Sequence, residues 1–210
     1  MSEHEELAKG SGVSRRGFLK GIGVGTVATG LLSPVGLKEA IAKEGGVVGP
    51  EEIPITLKVN GQNRKLNVEP RVTLLDALRN RLDITGAKKV CDRGTCGACT
   101  MIVDGRTVYS CSTLAIDVQG KPIRTVDGLA AANGTMHPVQ QAFCDVDALM
   151  CGFCTPGFVV ATVALLEKHP NATPEQMRKG LDGNICRCGT FVRIMEAAQK
   201  AKTTMGVRRG

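Results

Sequence analysis

In the middle of the chain apolar and polar positions alternate with a period of two. Ile53-Pro-Ile-Thr-Leu-Lys-Val59 is the clearest stretch and predicts a half-buried strand. Asn60-Gly61 is a strong hairpin signal, and Lys65 to Val68 supplies the return strand. Thr73 is placed to cap a helix, with Asp76 three residues on in a weak variant of the capping box. Leu74, Leu75, Leu78 and Leu82 then fall at helical spacing on one face. Met101-Ile-Val103, the turn Asp104-Gly105 and Thr107 to Cys111 predict a second hairpin, and Ile123 to Val126 a closing strand. Two hairpins with one helix across the sheet make a small α+β unit over residues 53–126.

From Asp127 onward the period becomes helical. Helices are predicted over Val139 to Met150, Gly157 to Lys168, Pro174 to Leu181 and Val192 to Lys202. Thr155 before Pro156 and Thr173 before Pro174 match an N-cap followed by proline at the first helical position. His169-Pro170 ends the second helix. Phe158 to Leu166 is strongly apolar but too short to cross a bilayer, so it reads as a buried core helix. Residues 127–205 are therefore expected to form an all-α domain. No repeat with a period of tens of residues is present.

The first 42 residues follow neither pattern. Arg15-Arg16 precede Gly17-Phe-Leu-Lys20, a weakly apolar stretch runs from Gly21 to Leu32, and Ala40-Ile41-Ala42 follows. This is the layout of a signal peptide, with cutting expected after Ala42. The twin arginines resemble the twin-arginine export signal, a route taken by proteins already folded and loaded with cofactor. The apolar stretch is too short and too glycine-rich to span a bilayer. The mature chain is thus expected in the periplasm and not in the membrane. Lys43 to Glu52 reads as a polar, Gly-rich linker.

Tryptophan is absent and aromatics are 3%, so the core must rest on Val, Ile, Leu, Ala and Met. The net charge is +7, and residues 1–42 hold five Lys/Arg against four Asp/Glu, which leaves +6 on the rest. That surplus is spread thinly, without an aromatic-interleaved basic stripe, which argues against nucleic acid and for a basic surface facing protein partners.

Nine cysteines carry the chemistry. In "CDRGTCGACTMIVDGRTVYSC" Cys91, Cys96, Cys99 and Cys111 follow C-x4-C-x2-C…C, the plant-type ferredoxin spacing for a [2Fe–2S] cluster. Gly94 and Gly97 free the backbone of that loop to aim N–H groups at sulfur. Structural zinc also takes four cysteines, but usually from two separate C-x2-4-C knuckles. The second set, Cys151, Cys154, Cys186 and Cys188, comes from "MCGFCTPGF" and "GNICRCGTF". A Cys-x-x-Cys alone could be a redox dithiol; joined by a Cys-x-Cys near helix starts it suits a four-sulfur metal site, zinc or iron–sulfur.

Cys91-Asp-Arg-Gly-Thr-Cys-Gly-Ala-Cys99-Thr, Cys151-Gly-Phe-Cys-Thr-Pro-Gly157 and Gly183-Asn-Ile-Cys-Arg-Cys-Gly189, in that order, resemble the two-cluster iron–sulfur subunit of the molybdenum hydroxylases. That group includes xanthine dehydrogenase, aldehyde oxidoreductase and isoquinoline oxidoreductase. The resemblance implies a β-grasp, ferredoxin-like domain followed by a four-helix-bundle-like domain, each with one [2Fe–2S] cluster. It implies a large partner subunit holding molybdenum on a pterin dinucleotide, which oxidises the substrate. The Cys151/Cys154/Cys186/Cys188 cluster would take electrons beside the pterin. The Cys91/Cys96/Cys99/Cys111 cluster would relay them to an FAD subunit, a cytochrome or another acceptor. The chain itself then needs no catalytic residue, and none is apparent. A free-standing periplasmic ferredoxin-like carrier is the competing reading; it leaves the second, helical domain without a use.

Met150 stands where the family commonly has a glutamine that hydrogen-bonds the pterin, and Cys188 is expected close to the pterin. A thioether donates no hydrogen bond, so that contact is lost or replaced, unless Met150 simply fills space. Cys144 is expected to be a buried, inert thiol. His137 and His169, each before a proline, are expected to cap or be solvated, and Arg187 to offset cluster charge or be solvated.

Overall fold

The computed structural model describes residues 49–209, with side chains as far as Gly206. The signal expected over 1–42 and the linker as far as Val48 lie outside the described residues. Strand β1 (Ile53–Val59) buries Ile55, Leu57 and Val59, the alternate positions of its pattern. It turns back on β2 (Gln62–Val68) through Asn60 and Gly61, whose φ angles of 48° and 80° are those of a two-residue hairpin turn. Asn60 also ties the sheet together. Its amide donates to Thr125 Oγ1 at 3.0 Å, and its Oδ1 accepts from the Thr125 N–H at 2.9 Å. Strand β5 (Pro122–Arg124) therefore stops short of the predicted Val126, because Thr125 is turned toward Asn60.

β5 runs parallel to β1 and antiparallel to β3 (Thr100–Val103), which pairs in turn with β4 (Arg106–Tyr109). The sheet order is β2-β1-β5-β3-β4. Thr73 caps the helix as expected, its Oγ1 accepting from the Asp76 N–H at 3.2 Å. But α1 (Leu74–Asp76) widens at once into a π turn over Ala77–Arg81. Leu74, Leu75 and Leu78 are fully buried, while Leu82 falls past the end and is half-exposed.

All four residues of β3 are buried, for a reason the two halves share. Met101 and Val103 join the sheet core with Leu57, Leu74 and Ile123, whereas Ile102 joins the helical core with Phe143, Phe158 and Leu166. One strand thus closes two cores, each full Leu, Ile or Phe burial contributing roughly 1.5–3 kcal/mol. The helical half comprises α2 (Pro138–Asp145), α3 (Thr155–Lys168), α4 (Pro174–Leu181) and α5 (Phe191–Arg209). The α+β class predicted from the sequence is the one observed, and among the described residues no helix is long and apolar enough to cross a membrane.

Three boundaries differ from expectation. Helix α2 ends at Asp145 rather than Met150, and Asp147 at φ 52° turns the chain away. Helix α5 starts at Phe191 and continues to Arg209. Thr155 is not the N-cap of α3: Cys154 holds that position with helical angles, and Thr155 is already inside the first turn.

Candidate metal centres

The loop from Cys91 to Cys99 wraps back on itself through three residues of positive φ: Asp92, Gly94 and Gly97 at 54°, 70° and 71°. Gly94 must be a glycine twice over, since a Cβ there would meet Ser112 Oγ at 2.7 Å. Its N–H donates to Cys111 Sγ at 3.3 Å. Cys111 sits on a 3-10 turn just past β4, so the hairpin carries it to the loop. The Thr95 hydroxyl, then the Arg93 and Thr95 N–H groups, favour the Cys91 thiolate and bring its pKa down to about 5. Burial dominates at Cys99 and pushes its thiol up to about 11. The thiols influence one another in twos: Cys96 helps lower Cys91, and Cys111 acts on Cys99. Tyr109, its own pKa raised by burial, feels the charges of Cys99, Cys96 and Cys91 together.

The second quartet is built the same way. Cys151 pairs with Cys188 on the exposed side, and Cys154 with Cys186 on the inner side. Gly152 and Gly189, both at φ 81°, turn the two loops. Burial, then the neighbouring Cys186, pushes Cys154 up to about 12. Burial also pushes Cys186 up, but the Thr190 hydroxyl 3.0 Å from its sulfur and further donors outweigh it, leaving about 7. Helix α3 begins directly after Cys154, so its positive end faces the quartet.

The eight sulfurs fit binuclear iron–sulfur clusters on two grounds. Cys99 and Cys154, raised by burial, need a cation to become thiolates, and each iron of such a cluster takes two protein ligands, as the pairs offer. The hydroxyl of Thr155, the residue after Cys154, is buried and has no hydrogen-bond partner.

The two loops are strapped to each other. The Ile185 N–H donates to the Cys96 carbonyl at 2.9 Å, and Asn184 Nδ2 to the Gly97 carbonyl at 2.9 Å and Thr100 Oγ1 at 3.3 Å. Tyr109, the chain's single tyrosine, donates its hydroxyl to the Gly183 carbonyl at 2.7 Å. Gly157 in α3 lies so close to the Gly97 carbonyl that no Cβ fits between them. Sequence reasoning passed over Asn184, Tyr109 and Gly157, although all three lie inside the quoted cysteine stretches and Tyr109 is the lone tyrosine.

Met150 is 73% exposed, beside exposed Cys151 and Cys188. Leu149, Phe153, Ile185, Phe191 and Val192 are exposed as well. Arg187 is also exposed. The expectation for Cys144 is corrected: it is exposed on α2, because Val139, Ala142 and Phe143 form the buried stripe and Cys144 falls outside it. His137 caps α2, its Nδ1 accepting from the Val139 N–H at 3.2 Å, and His169 closes α3.

Two family models match the chain. A 2Fe-2S iron-sulfur cluster binding domain matches residues 57–130, and a [2Fe-2S] binding domain matches residues 125–199. The iron-sulfur-binding subunit of aldehyde oxidoreductase from Escherichia coli is 38% identical over 204 residues, covering 90% of this chain and 88% of that one. The small subunit of nicotine 6-hydroxylase from Paenarthrobacter nicotinovorans is 43% identical, covering 76% of this chain and 96% of that one. Among solved structures, quinoline 2-oxidoreductase from Pseudomonas putida 86 matches with a TM-score of 0.71 and 36% identity, over 76% of this chain and 98% of the matched chain.

Proposed function

Since the chain belongs to the two-cluster iron–sulfur subunits of the molybdenum hydroxylases, we propose that its eight paired cysteines are the cluster ligands. Cys91, Cys96, Cys99 and Cys111 hold the first [2Fe–2S] cluster, and Cys151, Cys154, Cys186 and Cys188 the second. The chain is the electron-transfer subunit of an oxidoreductase complex, and a free-standing carrier is not favoured. When bound, each cluster supplies a one-electron carrier between the molybdenum site of a large partner and an acceptor, for which we propose an FAD subunit or a cytochrome.

The residues of this chain hold and insulate. Donors from Gly94, Thr95 and Thr190 reach Cys111, Cys91 and Cys186 and stabilise negative charge on sulfur. Leu149, Met150, Phe153, Ile185, Phe191 and Val192 leave an apolar face exposed around Cys151 and Cys188. Such a face on a soluble chain marks a partner surface, and we assign it to the large molybdenum–pterin subunit, with Met150 and Cys188 nearest the pterin. The twin-arginine leader would export the folded, loaded subunit to the periplasm. The match to the Escherichia coli subunit covers 90% of this chain and so reaches into the first 48 residues.

The pairing of sulfurs at both loops carries this assignment. It is tested by Cys91→Ser and Cys188→Ser in the purified complex. Each is expected to remove a different paramagnetic centre, with Cys144→Ser removing neither. Loss of the same centre from both variants, or from Cys144→Ser, overturns the assignment.

A further inference from the structure

Among the described residues, one buried side-chain polar atom lacks a hydrogen-bond partner: Thr155 Oγ1. Folded proteins rarely leave a buried hydroxyl unpaired. Thr162, two turns further along α3, satisfies its hydroxyl on the Phe158 carbonyl at 2.7 Å. Thr155 has no such recourse. It stands in the first turn, and the residue four back is Cys151, in the loop before the helix. Its neighbours in sequence are Cys154, assigned above as a ligand, and Pro156.

Hydroxyl groups elsewhere in this chain already serve sulfur. Thr190 Oγ1 lies 3.0 Å from Cys186 Sγ, Ser112 Oγ lies 3.6 Å from Cys111 Sγ, and Thr95 bonds Cys91. We propose that the Thr155 hydroxyl, which bonds no cysteine sulfur, donates a hydrogen bond to an inorganic sulfide of the second cluster and raises that cluster's reduction potential. The inference rests on the ligand assignment above.

A donor favours the reduced cluster because one added electron makes its sulfurs more negative. The electron enters and later leaves, the hydroxyl keeps its proton, and no bond to Thr155 is made or broken. Removing the donor therefore disfavours reduction of the second cluster relative to the first.

The test is an EPR-monitored redox titration of the purified, iron-loaded complex carrying Thr155→Val or Thr155→Ser, with the first centre as internal reference. Thr155→Val is expected to shift the electron-sharing equilibrium between the two centres about tenfold away from the second, ~59 mV for one electron. Thr155→Ser is expected to restore it. Pulsed EPR in deuterated buffer should show an exchangeable deuteron coupled to the second centre that Thr155→Val lacks. An unshifted second potential in a fully loaded Val variant overturns the inference. Should Val cost the second centre its iron, the inference requires Ser to retain it, and equal loss from Ser overturns it. Absence of two centres from the unsubstituted complex would instead overturn the ligand assignment.

Discussion

Asn184→Ala tests how the two cluster loops are held in register. The side chain is 6% exposed and makes two hydrogen bonds across 87 and 84 residues of sequence, to Gly97 and Thr100. The Gly97 carbonyl would keep the Thr100 hydroxyl at 2.7 Å and the Thr100 N–H at 3.0 Å, so truncation leaves it paired. The cost is then the net value of two bonds, about 1–3 kcal/mol at roughly 0.5–1.5 kcal/mol each. At roughly 2–4 °C per kcal/mol for a domain of this size, the middle of that range lowers the melting temperature by about 4–8 °C. Tyr109→Phe removes a single bond to the same 183–185 segment and should cost less than Asn184→Ala. Because both side chains hold one segment, the double variant should depart from additivity by roughly 0.5 kcal/mol or more. The assay is thermal unfolding of the loaded protein, followed by far-UV circular dichroism and by loss of visible absorbance. Since that segment leads into Cys186 and Cys188, the magnetic interaction between the two centres should change with it. Asn184→Ala melting at the unsubstituted temperature, with an unchanged interaction, would refute the strap.

Gly157→Ala should be damaging too, because the new methyl meets the Gly97 carbonyl and the Ala98 Cα, backbone that cannot swing aside. Overpacking typically costs about 1–3 kcal/mol, and the yield of soluble, coloured protein should drop sharply; wild-type yield with full iron would contradict the close approach. Arg15→Lys with Arg16→Lys should leave loaded precursor in the cytoplasm on cell fractionation, whereas undiminished periplasmic protein would rule out the twin-arginine route.

Most of the fold was legible because each element shows one periodic face. The β1 alternation buried Ile55, Leu57 and Val59, and Thr173 with Gln176 formed the full capping box that the Thr-Pro signal hinted at. Pattern reading weakened where a segment answers to two neighbours. β3 is buried on both faces, since it closes both cores, and its four residues carry no alternation to read. The Leu74–Leu82 run promised a regular helix, but Arg79 donates to the Thr85 and Ala87 carbonyls and draws the following loop back against a widened turn. The first cysteine set stood out by its spacing and the second by the family resemblance of its motifs, while the strap between them showed in neither. Its partners lie 74 to 89 residues apart, and no local rule connects them. Cys144 was misplaced by residue type alone, although counting from Val139, Ala142 and Phe143 sets it off the buried stripe.

Eight of the nine cysteines are proposed above to bind iron in two separate quartets. Iron and acid-labile sulfide analysis of the purified mature protein, paired with EPR after dithionite reduction, tests it most directly. The expected result is about four iron and about four sulfide per chain and two distinguishable paramagnetic centres. About two zinc per chain, or a single centre with about two iron, would contradict it.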